Sequence, residues 1–168
     1  METSDFQKVA NKVSFITIIG NIVLSLLKLF AGIIAHSNAM ISDAIHSASD
    51  VFSHERLECE AAIILSLVLF ITGLGIGLEA LNNIMQGEYN NLQVPGMLAL
   101  IAAIISIVSK EGMYWYTRHY AKKIDSSALM ADAWHHRSDA ISSIGALIGI
   151  AGARLGFPIM DSIASLVI

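Results

Sequence analysis

An eight-residue pattern rich in aspartate, histidine and serine occurs twice in this sequence. Residues 43–50 read DAIHSASD and residues 132–139 read DAWHHRSD, so both copies follow the pattern DAxHxxSD. The residues before each copy are also similar, with AMIS at 39–42 and ALMA at 128–131. Agreement over this length indicates an internal repeat whose two copies share one chemical role.

Helical periodicity places the chemical groups of each copy on one face. Positions i, i+3 and i+7 of an α-helix point in similar directions because one turn takes about 3.6 residues. The first aspartate, the histidine and the last aspartate of each copy occupy these positions. They are Asp43, His46 and Asp50 in the first copy and Asp132, His135 and Asp139 in the second.

Imidazole and carboxylate groups at this spacing favour a divalent metal site. Two histidines and two aspartates supply the four ligands of a tetrahedral Zn²⁺ site, and the two carboxylates balance the charge of the ion. The alternative is that the polar faces only join two helices through hydrogen bonds and ion pairs. We favour the metal site because both ligand types recur at one spacing. The predicted ligands are His46, Asp50, His135 and Asp139.

Neighbouring polar residues of the repeat are interpreted differently. Asp43 and Asp132 lie one turn before each histidine and are expected to support the ligands or line the ion pathway. His136 and Arg137 are expected to point away from the ligand face and to serve as interhelical or cytoplasm-connected polar groups.

The composition indicates that these helices lie in a membrane. Of the 168 residues, 55% are hydrophobic and only 14% are charged, with a mean hydropathy of +0.64. A soluble bundle needs a polar stripe on every helix, whereas several stretches here are apolar around most of their circumference. The net charge of −4 is dispersed along the chain, which argues against nucleic-acid binding. The sequence predicts an all-α, multi-pass transmembrane helix bundle.

The sequence carries no enzymatic motif. Cys59 is the single cysteine, which excludes an internal disulfide framework and a multi-cysteine zinc cluster. His54 and Glu55 lack the second histidine of an HExxH protease motif. A phosphate-binding loop, a paired ExxH motif and a nucleophile elbow are also missing. We therefore expect a protein that is not an enzyme.

Apolar runs predict the positions of six spans. The second is only about fifteen residues long, too short to cross a bilayer untilted, and the sixth stops with the sequence. Lys28, Lys110 and Glu111 are expected toward the ends of their spans, where long side chains reach the interface. The six runs are 13–35, 39–53, 61–81, 95–116, 127–153 and 159–168.

Basic residues predict the orientation of the spans. When the spans are threaded alternately, most lysines and arginines fall on the side of the N-terminus, and Arg154 alone faces the other side. Cytoplasmic loops carry the excess of positive charge, so the N-terminus is expected in the cytoplasm. The basic residues on that side are Lys8, Lys12, Arg56, Arg118, Lys122 and Lys123.

The repeated motifs resemble those of the cation diffusion facilitator family, whose transport site combines HxxxD or DxxxD on the second helix with HxxxD on the fifth. The matching residues here are His46 with Asp50 and His135 with Asp139. The stretches SDA at 42–44, HERLE at 54–58 and AWHHRSD at 133–139 are also similar to the bacterial branch.

The resemblance implies a secondary transporter in the cell membrane. Such a protein is a homodimer that exports Zn²⁺ or a related divalent ion from the cytoplasm in exchange for protons. A histidine at position 46 goes with zinc in the family, while Fe²⁺, Co²⁺, Cd²⁺, Ni²⁺ and Mn²⁺ remain open. The competing interpretation is a metal-binding helical membrane protein, or a truncated remnant, that does not transport.

Two departures from the family pattern concern the length of the chain. Between Ser53 and His54 the rest of the second helix and the following loop are missing, so the second span is incomplete. The sixth span is incomplete as well. Residues 1–168 are thus expected to form a transmembrane metal-transport domain, without the cytoplasmic ferredoxin-like C-terminal domain of typical members.

Overall fold

The protein was analysed as a computed structural model, which describes residues 3–54, eight single positions between 67 and 85, and residues 94–168. In the first stretch, side chains are described from Phe6 to Ala48. Every regular element in these parts of the chain is an α-helix, which confirms the all-α fold class. The helices are α1 (Thr3–Ile34), α2 (Asn38–His54), α3 (Met97–Lys123), α4 (Ser127–Arg154) and α5 (Ile159–Val167).

The helix bounds agree with the sequence prediction except at the start of α1 and the end of α3. Helix α1 begins at Thr3, ten residues before the predicted first run at 13. Helices α2, α4 and α5 begin and end within one residue of the predicted second, fifth and sixth runs. Helix α3 continues to Lys123, although the prediction ended it at residue 116 and placed a basic loop there. Lysine and arginine are good helix formers, and Lys122 and Lys123 in the last turn complement the helix dipole. The predicted third span, 61–81, lies outside the described residues apart from single helical positions such as Leu67.

Two helices have the length and composition of membrane spans. Among the described residues, an 18-residue window within Phe6–Ile34 of α1 has a mean hydropathy of 2.1, and one within Met97–Lys123 of α3 has a mean hydropathy of 1.6. Large apolar side chains also point outward, with Phe30, Val108 and Ile141 each about two-thirds exposed. A bundle surrounded by lipid exposes such side chains because the solvent around it is itself apolar. The fold is a membrane helical bundle.

Small side chains allow the helices to approach one another closely. The buried core between α1, α2, α3 and α4 consists mostly of alanines, with Met40 and Ile150 as its larger members. At the contact of α4 with α5, a Cβ atom added to Gly149 would lie 2.3 Å from the Cβ of Ala164. Only glycine fits at that crossing, as is common for helices packed in lipid.

Helices α2 and α4 run in opposite directions, with the start of α2 beside the later half of α4. The Oγ of Ser143 in α4 donates a hydrogen bond of 2.9 Å to Oδ2 of Asp43 in α2. Because each residue advances both helices by about 1.5 Å, position 50 of α2 is level with about position 136 of α4. The backbones of the two motif copies therefore meet at similar depth.

The first turn of α2 is fixed by an aspartate of α5. Oδ1 of Asp161 accepts a hydrogen bond from Ser37 Oγ at 2.7 Å, and Oδ2 accepts one from the backbone N–H of Asn38 at 2.7 Å. Ser37 Oγ in turn accepts the N–H of Met40 at 3.2 Å. The unpaired N–H groups at the start of a helix need such acceptors. The contact therefore sets the position of the helix that carries the first motif copy.

We predict that Asp161→Ala lowers the free energy of unfolding by about 2 kcal/mol, because it leaves a buried helix start without its charged acceptor. Unfolding of the purified protein in mixed micelles measures this loss. Ser165→Ala in the same helix serves as the control, since among the described residues its hydroxyl donates to the carbonyl of Ser162, one turn earlier in α5. Equal stability of the two variants would contradict the assigned role of Asp161.

Candidate metal site

Helix α4 turns the second motif copy toward the interior of the bundle. Its N-cap is Ser126, whose Oγ accepts a hydrogen bond from the N–H of Leu129 at 3.3 Å. Four polar residues of α4 then follow at helical spacing on the buried face, each less than a tenth exposed. They are Asp132, His136, Asp139 and Ser143.

The two adjacent histidines of α4 differ from the expectation for this face. His136 is 2% exposed and lies on the buried face, whereas the side chain of His135 is 41% exposed. The prediction that His136 points away is therefore wrong. Both positions flank the line through Asp132 and Asp139, because successive residues turn by about 100°. Packing, not spacing, decides which of the two is covered.

His135 and Asp139 are the predicted ligands that the structure brings close together. Nε2 of His135 lies 3.8 Å from Oδ1 of Asp139, which is too far for a hydrogen bond. Oδ1 of Asp139 has no hydrogen-bond partner within the described part of the chain. A carboxylate that is 1% exposed thus keeps one oxygen available beside an imidazole.

The other oxygen of Asp139 is bound by a buried lysine. Lys110 Nζ lies 2.5 Å from Asp139 Oδ2 and donates a second hydrogen bond of 2.9 Å to Oδ1 of Asn21. Lys110 is fully buried. This contact joins α1, α3 and α4 at the level of the second motif copy.

A second buried lysine binds the first motif copy. Lys28 Nζ lies 2.9 Å from Asp43 Oδ2, and it donates to Ser47 Oγ at 2.8 Å and to Ser143 Oγ at 3.0 Å. Both Lys28 and Asp43 are fully buried. The expectation that Lys28 and Lys110 reach the interface is wrong, because a carboxylate on a neighbouring helix holds each ammonium inside the bundle. The predicted role of Asp43 as a supporting or pathway group stays a prediction.

The first copy is described only in part. His46 is half-buried on α2, and the side chain of Asp50 lies outside the described residues. Among the residues that are described, no three histidine, cysteine, aspartate or glutamate side chains lie close enough together to hold one ion. The four-ligand set His46, Asp50, His135 and Asp139 therefore stays a prediction.

A cavity leads toward Asp132 from the end of the bundle where α1 and α4 begin. Its volume is about 410 Å³, and its lining includes Ser14, Asp125, Ser126 and Asp132. Asp132 itself is 6% exposed. The cavity also has apolar lining, from Phe6, Ala10 and Leu129, and the role of Asp132 as a pathway group stays a prediction.

Comparison with known proteins identifies similar sequences over nearly the whole chain. The family described as cation efflux transmembrane domain matches residues 14–54 and 52–168. An uncharacterized transporter of Methanocaldococcus jannaschii is 36% identical over 91% of this chain and 61% of its own length. Metal tolerance protein C1 of Arabidopsis thaliana is 36% identical over 88% of this chain and 39% of its own length. The manganese efflux system protein MneP of Bacillus subtilis is 32% identical over 91% and 58% respectively.

These matches also bear on the length of the chain. The chain spans between 39% and 61% of the length of these three relatives. The family matches in two segments that meet at residues 52–54, the junction at which the sequence predicts a missing segment. The alignment with the Methanocaldococcus jannaschii protein runs over 175 positions, although this chain has only 168 residues.

We predict that Lys28→Met lowers the free energy of unfolding by about 3–5 kcal/mol, because removing one partner leaves Asp43 charged and buried. Adding Asp43→Asn to that variant recovers much of the loss, since it removes the uncompensated charge. Unfolding of the single and double variants in mixed micelles gives both values. Lys122→Met, at an exposed position of α3, is the control and changes stability by less than about 0.5 kcal/mol. A double variant as unstable as Lys28→Met would refute the pairing.

Proposed function

Because the chain belongs to the cation efflux family of transmembrane domains, whose members are transporters and not enzymes, we propose that it exports a divalent metal ion. The observation that carries this proposal is the Asp139 carboxylate, which is buried inside the bundle with one oxygen open toward His135. An ionised side chain at such depth needs a cationic partner. A transported cation is that partner during part of the cycle.

The distance between His135 and Asp139 suits a shared ion. A Zn²⁺ ion binds histidine nitrogen and carboxylate oxygen at about 2.0–2.2 Å each, which places two tetrahedral ligand atoms about 3.4 Å apart. The two atoms lie 3.8 Å apart, so a small approach lets one ion contact both. The antiparallel pairing of α2 with α4 brings the backbone of position 50 to the same depth. His46 and Asp50 complete a tetrahedral set in this proposal.

The proposed ion is Zn²⁺, with Mn²⁺ as the main competitor. Two imidazoles and two carboxylates suit a borderline ion such as Zn²⁺, and the bound site is formally neutral. Fe²⁺, Co²⁺, Cd²⁺ and Ni²⁺ accept the same ligands. The relative from Bacillus subtilis is named for manganese efflux, so Mn²⁺ is measured beside Zn²⁺ in the test below.

The cavity at Asp132 is the proposed access route from the cytoplasm. Asp125 and Asp132 give its lining an acidic character, which raises the local concentration of cations. Further along the same face of α4 lie His136 and Asp139. An ion entering there meets oxygen and nitrogen ligands at successive depths.

Exchange for protons follows from the chemistry of the ligands. Imidazole and carboxylate groups must be unprotonated to bind metal, so protons arriving from the other side displace the ion. An ion that leaves also removes two positive charges from a medium that cannot solvate the remaining carboxylates. We propose antiport in the cell membrane by a homodimer in the lipid bilayer, with the N-terminus in the cytoplasm.

We predict that Asp139→Asn reduces metal transport by more than about 10-fold, since even groups that only support ligands change metal affinity by 10–100-fold. Uptake of Zn²⁺ and of Mn²⁺ into inverted vesicles measures the effect and identifies the better substrate. Glu111→Gln is the control, because that carboxylate bonds to Trp115 on the outer side of α3 and not to the motif. Undiminished uptake by Asp139→Asn would refute the proposed site. A wild-type protein that binds metal without transporting it would support the non-transporting alternative.

A further prediction concerns the proton gradient as the driving force of transport. Inverted vesicles that carry the wild-type protein in their membrane and are acidic inside are expected to accumulate metal faster than vesicles without a pH gradient. Protons that leave the lumen exchange for the entering ion. Collapsing the gradient with a protonophore supplies the control. Uptake that is indifferent to the gradient would exclude proton antiport while leaving metal transport intact.

A further inference from the structure

We propose that Lys110 is a tethered competitor of the transported ion: its ammonium group holds the Asp139 carboxylate when metal is absent, and the ion must displace it. This inference rests on the proposed function, since it assumes that Asp139 binds the ion. It assigns to Lys110 a positioning and affinity-setting role.

The two buried lysines differ in how completely they are bonded. An ammonium group has three N–H donors. Lys28 uses all three on Asp43, Ser47 and Ser143, and Ser143 donates its own hydrogen to the same carboxylate. Oδ1 of Asp43, like that of Asp139, has no hydrogen-bond partner in the described part of the chain, so the difference lies in the ammonium groups. Lys28 has no unused donor, and its three bonds stabilise one packing of α1, α2 and α4.

Lys110 forms an open arrangement by comparison. Its ammonium has two acceptors among the described residues, Asp139 and Asn21, and Asp139 keeps Oδ1 without a hydrogen-bond partner there. A partly bonded polar network in a low-dielectric interior is costly unless another group joins it. The open oxygen faces His135, where the ion is proposed to bind.

Competition with Lys110 sets the affinity of the site. The free energy of metal binding is the free energy of the state with Asp139 bound to the ion minus that of the state with Asp139 bound to the ammonium. A bare buried carboxylate would hold any cation too tightly for release, because its charge would be left without compensation. Lys110 provides the compensation after the ion departs, so it weakens binding and speeds release.

Asn21 gives the displaced ammonium a place to remain. Its Oδ1 already accepts a hydrogen bond of 2.9 Å from Lys110, and its side chain is buried on α1. When the ion takes Asp139, the ammonium keeps this acceptor and does not lose all its partners. Lys110 thus gives up Asp139 to the ion, keeps Asn21 and stays in the interior of the bundle.

The test compares Lys110→Gln with the wild-type protein, purified in lipid nanodiscs, by calorimetric titration with Zn²⁺. Glutamine removes the competing charge and keeps hydrogen-bonding capacity, so the Kd for Zn²⁺ is expected to fall by roughly 10-fold or more. Release of Zn²⁺ into a chelator, followed by stopped flow, is expected to slow. Lys122→Gln removes the same charge from an exposed position of α3 and is expected to leave Kd unchanged. An unchanged or weaker affinity of Lys110→Gln overturns the proposal.

A second variant decides the matter if Lys110→Gln does not fold. Asn21→Ala removes the alternative acceptor and commits the ammonium to Asp139, so Zn²⁺ binding is expected to weaken. Equal or tighter binding by a folded Asn21→Ala protein overturns the proposal.

Asp139→Asn separates this inference from the proposed function. If Asp139→Asn binds Zn²⁺ as well as the wild type does, the proposed metal site itself fails. If it loses binding while Lys110→Gln keeps the wild-type Kd, only the role of Lys110 fails.

Discussion

Charge balance in a medium that cannot solvate ions is the constraint on which the interior of this bundle depends. The two motif copies bring four aspartates into transmembrane helices, and an unpaired charge there costs at least about 2.5–3.5 kcal/mol. Lys28 and Lys110 supply two of the opposing charges from α1 and α3. In the proposed function one divalent ion supplies the remaining two, so the repeat would be neutral with the lysines and the ion together.

The contacts that place these charges lie at the ends of the helices. Asp161 of α5 fixes the start of α2, and Ser126 caps the start of α4. Alanine and glycine between the helices then allow the backbones to approach, so that side chains as short as Ser143 and Asp43 reach each other. End contacts and small residues therefore determine which polar atoms meet in the middle.

Most helix ends within the described residues could be predicted from the sequence, because apolar period is a local signal, whereas the metal ligands of the repeat stay a prediction. The burial of Lys28 and Lys110 could not be predicted, since each depends on a carboxylate of another helix. Counting charges would have pointed to them, as four motif aspartates exceed what one divalent ion balances. Residue spacing also could not predict that His136 is buried and His135 exposed. The rotation of α4 about its axis decides which of the two is covered.

The two copies of one motif have become unequal through their lysine partners. In the first copy the leading aspartate, Asp43, is held in a closed set of bonds that joins three helices. Among the described residues each aspartate is held through Oδ2 alone, but Oδ2 of Asp43 contacts both Lys28 and Ser143, whereas Oδ2 of Asp139 contacts Lys110. A site that binds and releases an ion needs both kinds of contact, because a fixed frame must hold ligands whose own bonds exchange. Under the proposed function, the first copy supplies the fixed frame and the second copy the contact that exchanges.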